Sequence, residues 1–309
     1  MNGPTAYWSC AISEVKERGA AETRAQVDSA VALAIETYGD HLAEPVRSAI
    51  GYALSNGGKR MRGMLVLAAY DAAGGTGDAS GLAAAIEIIH AYSLVHDDLP
   101  CMDDDDVRRG RPATHRQFSV PVATAAGAAM IPLAGGVALD SARALRLPED
   151  TGCTIVKVLM QGAGAGGMIG GQYLDLGGEG LALSRDQLDE IHRSKTGALI
   201  ATSVRIGGIA AGASDARLDA LASYGESIGL AFQIMDDVLD VTSSTARLGK
   251  TAGRDAELGK STYPALLGVD GAIKRAATLV EQACDRLRRE KLLTEELEHL
   301  AGFIVSRSH

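Results

Sequence analysis

Residues 96–111 read HDDLPCMDDDDVRRGR, and this stretch constrains the 309-residue chain more tightly than any other. Six carboxylates, from Asp97, Asp98, Asp103, Asp104, Asp105 and Asp106, crowd against Arg108, Arg109 and Arg111. An acidic cluster of that density repels itself unless a cation sits in it, and a hard divalent ion such as Mg²⁺ is the usual partner. An EF-hand calcium loop is excluded because it needs glycine at its sixth position and glutamate at its twelfth. Counting from Asp98 gives Asp103 and Arg109; counting from Asp103 gives Arg108 and Thr114. A second acidic run, FQIMDDVLD, lies far downstream at 232–240. In a helix, Asp236 and Asp240 fall one turn apart on the same face, with Asp237 beside them. Two carboxylate clusters in otherwise apolar helices predict a metal site shared between facing helices.

The flanking sequence supports an all-α fold. Val27, Val31, Leu33 and Ile35 fall near a 3.6-residue period and predict an amphipathic helix from Ala20 to Tyr38. Pro45 opens the next helix, which carries Val46, Ile50 and Leu54 and ends at Asn56-Gly57-Gly58. Another begins at Lys59 and runs through Leu67; Gly74–Gly77 form a loop. A long helix from Leu82 to Leu99 then runs into the first acidic cluster. Neither a sustained period-2 pattern nor a 20–50-residue repeat interrupts the helical reading. The glycine-rich QGAGAGGMIGG at 161–171 lacks the preceding strand of a nucleotide fingerprint and the Gly-Lys-Ser/Thr of a Walker loop. Close helix packing is its expected role, despite the cost of glycine inside a helix.

Composition narrows the function. Hydrophobic residues make up 46% of the chain but aromatics only 4%, so alanine and glycine supply much of a close-packed core. A net charge of −9 argues against nucleic acid as partner, while a metal ion can still invert the local sign for a small polyphosphate. Cys10, Cys101, Cys153 and Cys284 are scattered, which fits a reduced, cytoplasmic protein. Val120 to Leu139 has the length of a membrane span, but Pro121, Pro132 and its many small residues favour a buried core helix.

A second type of anion site is legible at 56–62, where Asn-Gly-Gly precedes Lys59-Arg60-Met61-Arg62. Glycines in a turn ahead of a helix, followed by three cations, suit a diphosphate without a metal of its own, although a solvated basic face reads the same way. His90 and Arg109 fit the same pocket. Lys195-Thr196, Lys250 and Lys260 supply cations near the second acidic run. One metal-bridged site and one basic site fit a reaction in which one diphosphate ester loses its diphosphate and the other keeps it. Divalent ions would stabilise the leaving group, and a dry apolar pocket would keep water from an allylic cation.

With these residues assembled, the chain resembles the trans-isoprenyl diphosphate synthases, closest to bacterial short-chain farnesyl and geranylgeranyl enzymes. The resemblance covers Ala20 to Ser306 and rests on GGKRMR (57–62), DDLPCMDDDDVRRG (97–110), KTG (195–197), FQIMDDVLD (232–240) and LGKSTYPALLG (258–268). It implies one domain across residues 1–309, with 1–19 a loosely packed leader to a bundle of mostly antiparallel helices around a deep cavity. It also implies a homodimer and three Mg²⁺ ions, with Mn²⁺ able to substitute. Carried over by position, Asp97, Asp103, Asp236 and Asp240 are the metal ligands, with Asp98 and Asp237 around them. Arg108, Lys195, Thr196, Gln233, Lys250 and Lys260 face the allylic diphosphate, and Lys59, Arg62, His90 and Arg109 hold isopentenyl diphosphate.

The family reaction ionises the allylic diphosphate, adds the isopentenyl double bond and loses a proton, for which the released diphosphate is the base. Product length is expected to be set on the helix bearing Asp97. Tyr92 lies roughly 7–8 Å below it, with Ser93, Ile89 and Ile88 as neighbours. An aromatic residue there resembles the farnesyl enzymes; geranylgeranyl synthases usually carry a smaller one. A terpene cyclase would normally replace the second aspartate run and lack the Lys59/Arg62 site, and a silent partner subunit should have lost one acidic cluster. One departure stands out: Gly63 occupies a position usually held by proline, and a glycine is expected to loosen the first turn of its helix.

Overall fold

The computed structural model describes residues 14–242 and 260–306, so Lys250 lies outside the described residues. The elements run α1 (Glu14–Gly39), α2 (Val46–Leu54), α3 (Met61–Ala72), α4 (Ser80–Asp97), β1 (Val107–Arg108), β2 (Arg111–Pro112), α5 (Thr114–Gln117), α6 (Val120–Ala144), α7 (Glu149–Ala163), α8 (Met168–Gly177) and α9 (Arg185–His192). A π-helical turn, Arg193–Gly197, leads into α10 (Ala198–Ala210), followed by α11 (Asp215–Thr242), α12 (Tyr263–Arg289) and α13 (Glu295–Ser306). The expected all-α architecture is what the chain adopts.

Helix α4 is the centre of this arrangement. It is apolar on every side, as a helix enclosed by neighbours must be. Leu82, Ile86, Ile88 and Ile89 are fully buried between α1, α3, α6 and α10. Helix α11 packs on α10, α12 and α13, and Tyr224 in its middle is fully buried, donating its hydroxyl proton to the Leu297 carbonyl at 2.7 Å. Because α10 packs against both α4 and α11, it sets the separation of the two acid-bearing helices.

Two local features add to this fold and one corrects an expectation. Helix α1 begins at Glu14, so the last six residues of the segment 1–19 are helical. The run Glu14-Val15-Lys16-Glu17-Arg18 contains good helix formers and no breaker, and propensity sufficed there. The glycine-rich stretch spans the break between two helices: α7 stops at Ala163 and α8 starts at Met168. Finally, α6 is half-buried rather than enclosed. It is long and apolar enough to cross a membrane, yet Ala123, Ala126, Met130, Ala134 and Ala138 pack inward and Val120 is exposed.

The small hairpin has no period-2 pattern because each strand has two residues. Its pairing is Val107↔Pro112 and Arg108↔Arg111, with Arg109 (φ 54°) and Gly110 (φ 75°) at the turn. Two consecutive positive φ values are what a tight two-residue hairpin requires. The turn sends Arg108 and Arg109 to different surroundings, as described next.

Candidate active site

The first acidic cluster begins at the C-terminal end of α4, where helix carbonyls already create negative potential, and the second lies in the last two turns of α11. Carboxylates there oppose helix stability. The chain folds back after α4: the Asp103 N–H donates to the Asp97 carbonyl at 2.8 Å and the Asp104 N–H to the Leu99 carbonyl at 3.2 Å. Leu99–Met102 thus form a loop that returns Asp103 to the helix end beside Asp97. A cavity of about 320 Å³ opens next to it, and Asp97, Asp103 and Asp105 line it together with Asp236 and Asp237 from α11. Burial raises the Asp97 carboxyl to about 6, with Asp103 and Asp98 adding to the effect and Lys195 and Arg108 opposing it.

The cations share the cavity. Arg62, Arg108, Lys195 and Lys260 line it, with His90, Ser93, Thr196 and Gln233 between them. Thr196 donates to Gln233 Oε1 at 2.9 Å. Lys195 and Lys260 both reach Asp175 Oδ2, at 2.6 and 3.0 Å. Burial alone would raise the Asp175 carboxyl, but these two ammonium groups outweigh it and hold it below the usual range. Asp175 therefore holds both lysines together at the cavity wall.

Glycines decide how closely this machinery approaches. A Cβ on Gly171 of α8 would overlap the backbone nitrogen of Lys195, and one on Gly229 of α11 would stand 2.6 Å from the Gly197 Cα. The π-helical turn bearing Lys195 and Thr196 is therefore clamped between two glycines, a distortion of the kind that accompanies functional sites. Gly171→Ala is expected to push this turn outward. Thermal unfolding should show a loss of about 1–3 kcal/mol, and KM for the substrate held by Lys195 should rise.

Other expected residues make internal contacts or lie away from the cavity. Asp98 is 2% exposed and binds Arg108, accepting from its Nε at 2.9 Å and from Nη2, while Asp105 lies 3.1 Å from the same Nη2. It orients the cation that faces the cavity. Asp237 accepts the Tyr263 N–H at 2.9 Å and lies 3.5 Å from His192 Nε2, fixing the start of α12. Asp240 is buried one turn beyond Asp236 and does not line the cavity. Ile88 and Ile89 are fully buried; Tyr92 is also buried, edge-on to His96 at 5.5 Å. Of the four residues expected to set chain length, Ser93 alone is on the cavity wall.

Lys59 is exposed, with its ammonium 5.1 Å from the centroid of the Phe303 ring. Arg109 donates to the Gly57 carbonyl, and a Cβ on Gly58 (φ 152°) would stand 2.7 Å from its guanidinium. Asn56 donates to the Arg108 carbonyl at 3.2 Å, joining the glycine turn to the hairpin. Arg60, His90, Arg108 and Arg109 then surround a second, smaller chamber of about 20 Å³. His90 is held well below its ordinary value, first by burial and then by the charges of Arg62, Arg109, Arg108 and Arg60. On the loop that carries the first acidic cluster, Asp104, Asp106 and His115 bring ligand-type atoms within 4.8 Å of one another, a separate group of a size to hold a cation.

Residues 43–299 match the polyprenyl synthetase family. The chain belongs to that family. It is 46% identical over 269 residues to the farnesyl diphosphate synthase of Escherichia coli (strain K12), covering 85% of this chain and 90% of that protein. It is 41% identical over 269 residues to the geranylgeranyl diphosphate synthase of Cyanophora paradoxa, covering 85% and 88%. The fold is similar to the crystal structure of a geranyltransferase from Helicobacter pylori complexed with magnesium and isoprenyl diphosphate, with a TM-score of 0.73 and 30% identity over 90% of this chain and 96% of that one.

Within this polyprenyl synthetase, sequence reasoning missed Glu87, Gln172, Asp175 and His192. Gln172 Nε2 lies 3.5 Å from Asp103 Oδ1, linking α8 to the first acidic loop. Glu87 had a signal: it is the one carboxylate in the body of α4 before the terminal aspartate. Gln172 and Asp175 stand one turn apart directly after the glycine run, a spacing that puts both on one helix face.

Proposed function

We propose that this prenyltransferase condenses isopentenyl diphosphate with dimethylallyl or geranyl diphosphate, head to tail, and delivers chiefly the fifteen-carbon farnesyl diphosphate. The observation carrying this reading is that carboxylates from two distant helices line one cavity together with Arg108, Lys195 and Lys260. Asp97, Asp103 and Asp236 offer a hard, all-oxygen donor set, and the strained Asp97 carboxyl fits a place where a divalent cation relieves repulsion. These residues would hold magnesium, three ions in the full complex, with Mn²⁺ as a substitute. Magnesium supplies neutralisation of the charge that grows on the departing diphosphate.

The protein's own residues do the rest. Lys195, Lys260 and Arg108 bind the allylic diphosphate, Thr196 and Gln233 orient it, and Lys250 belongs with them by position in the sequence. Arg62, Arg109 and His90 hold the isopentenyl diphosphate, together with Lys59. Leu94, Met168, Leu188, Ile191 and Phe232 give the cavity an apolar wall that keeps water from the allylic cation. Tyr92, next to Ser93 on α4, stops the growing tail. Geranylgeranyl diphosphate is the second reading, favoured by the small Ser93 on the wall itself.

We place the activity in one cytoplasmic domain spanning the chain. The half-exposed apolar α6 supports a homodimer, which sedimentation velocity tests directly. Chromatography of products from labelled isopentenyl diphosphate with five-, ten- and fifteen-carbon starters tests the substrate and product assignment. Five- and ten-carbon starters should both end at fifteen carbons, and a fifteen-carbon starter should be a poor substrate. Efficient use of the fifteen-carbon starter would replace this reading with the twenty-carbon one.

A further inference from the structure

His115 stands in the short helix α5, 5% exposed, and neither of its ring nitrogens has a hydrogen-bond partner. A neutral imidazole carries one donor and one acceptor, and the great majority of buried polar side-chain atoms in folded proteins are paired. An orphan ring of this kind marks a place where a ligand completes the bonding.

The carboxylates of Asp104 and Asp106 stand beside that ring. One oxygen of each and one ring nitrogen lie within 4.8 Å of one another, yet no hydrogen bond joins the ring to either acid. The spacing is too wide for direct bonds and close to that of donors sharing one ion, which at bond lengths of about 2.0–2.2 Å stand up to roughly 4.4 Å apart. Burial fixes the ring, whereas both aspartates are exposed and can close the remaining distance. Asp106 Oδ1 also accepts from Arg116 Nε, which steadies this carboxylate and leaves its other oxygen for an ion.

The three donors bracket the hairpin. Asp104 and Asp106 precede β1 and His115 follows β2, and the Ala113 N–H donates to the Asp106 carbonyl at 2.8 Å to close the base. An ion held by all three would staple the two ends of the segment that carries Arg108 and Arg109. None of the three lines the large cavity. Donor type also separates the two places. Asp97, Asp103 and Asp236 offer only oxygen, which suits Mg²⁺, while an imidazole favours zinc and its neighbours among the transition metals.

The geometry points to a second metal site: Asp104, Asp106 and His115 bind one zinc ion at the base of the hairpin, with water completing its coordination. The ion takes no part in the condensation, and the site stands independently of what the large cavity binds.

Equilibrium dialysis of the whole chain against Zn²⁺ in excess Mg²⁺ tests this. One zinc per chain should be retained, because Mg²⁺ competes poorly for imidazole. Asp97→Asn combined with Asp236→Asn, which strips the cavity of two donors, should retain it as well. His115→Gln and Asp104→Asn should each weaken zinc binding by more than about 10-fold, since even the outer partners of metal ligands are worth that much. Anomalous scattering at the zinc edge should place the ion about 2.0–2.1 Å from a His115 nitrogen. Circular dichroism checks folding, and if His115→Gln does not fold, Asp104→Asn, on an exposed side chain, decides. The inference is overturned if Mg²⁺ displaces all the zinc, if the cavity double variant loses it, or if the zinc peak lies away from His115. It is equally overturned if the folded variants at positions 104 and 115 bind zinc within about twofold of wild type.

Discussion

Asp97→Asn and Asp236→Asn should each lower kcat by about three orders of magnitude or more, while Asp97→Asn makes the metal-free protein more stable at pH 8. The two outcomes have one cause. In the folded protein the Asp97 carboxyl titrates at about 6, above the roughly 3.9 of an unfolded chain. The folded state therefore binds this proton more tightly, and ionisation costs stability. No cost exists below about pH 4; it grows as pH rises to about 6 and is complete above it. The shift corresponds to something on the order of 2–3 kcal/mol. Asparagine keeps the shape and discards the charge, so the variant should melt a few degrees above wild type at pH 8 in EDTA. At pH 4.5 most of that gain should be gone. Equal melting temperatures at both pH values would mean that Asp97 is not strained and that no cation is needed to relieve it.

Tyr92→Ala should lengthen the product and weaken the fold together. Tyr92 is buried at 3% exposure and packed edge-on to His96, and the next residue along α4, Ser93, lines the cavity. Truncating a buried aromatic ring removes apolar contact and leaves a void, a loss of about 3–5 kcal/mol. Here the void would open along α4 towards Ile88 and Ile89, where an elongating isoprenoid tail can fill it. Chromatography should show products of twenty carbons or more, and a long-chain product should recover part of the lost melting temperature. An unchanged fifteen-carbon product from a demonstrably destabilised variant would remove Tyr92 as the stop.

The parts of this molecule that were legible in sequence are those whose cause is local. Helices α2, α3 and α4 fall close to the expected ranges because Pro45, the Gly57-Gly58 turn and Pro100 punctuate them. The two acidic runs announced a cation because their charge density has no other local remedy. Long-range relations were less visible. Asp98 was expected beside the ligands, but not that the end of the helix turns it to Arg108 while Asp97 faces the cavity. Asp175 gave no sign that it would collect two lysines, 20 and 85 residues away. Gly63 read as a loss of rigidity because Glu87, its acceptor, is 24 positions along the chain. The glycine run at 161–171 was correctly taken as packing, but not that Gly171 admits the very turn that carries Lys195.

The central claim is that the carboxylates of α4 and α11 act on one ligand. Anomalous scattering from crystals grown with Mn²⁺ and an allylic thiolodiphosphate that cannot ionise tests it most directly. Manganese peaks should appear at roughly 2 Å from Asp97 and Asp103 on one wall and from Asp236 on the other, all bridged by the same diphosphate. Peaks confined to one acidic cluster, or a diphosphate bound without touching both, would contradict the account.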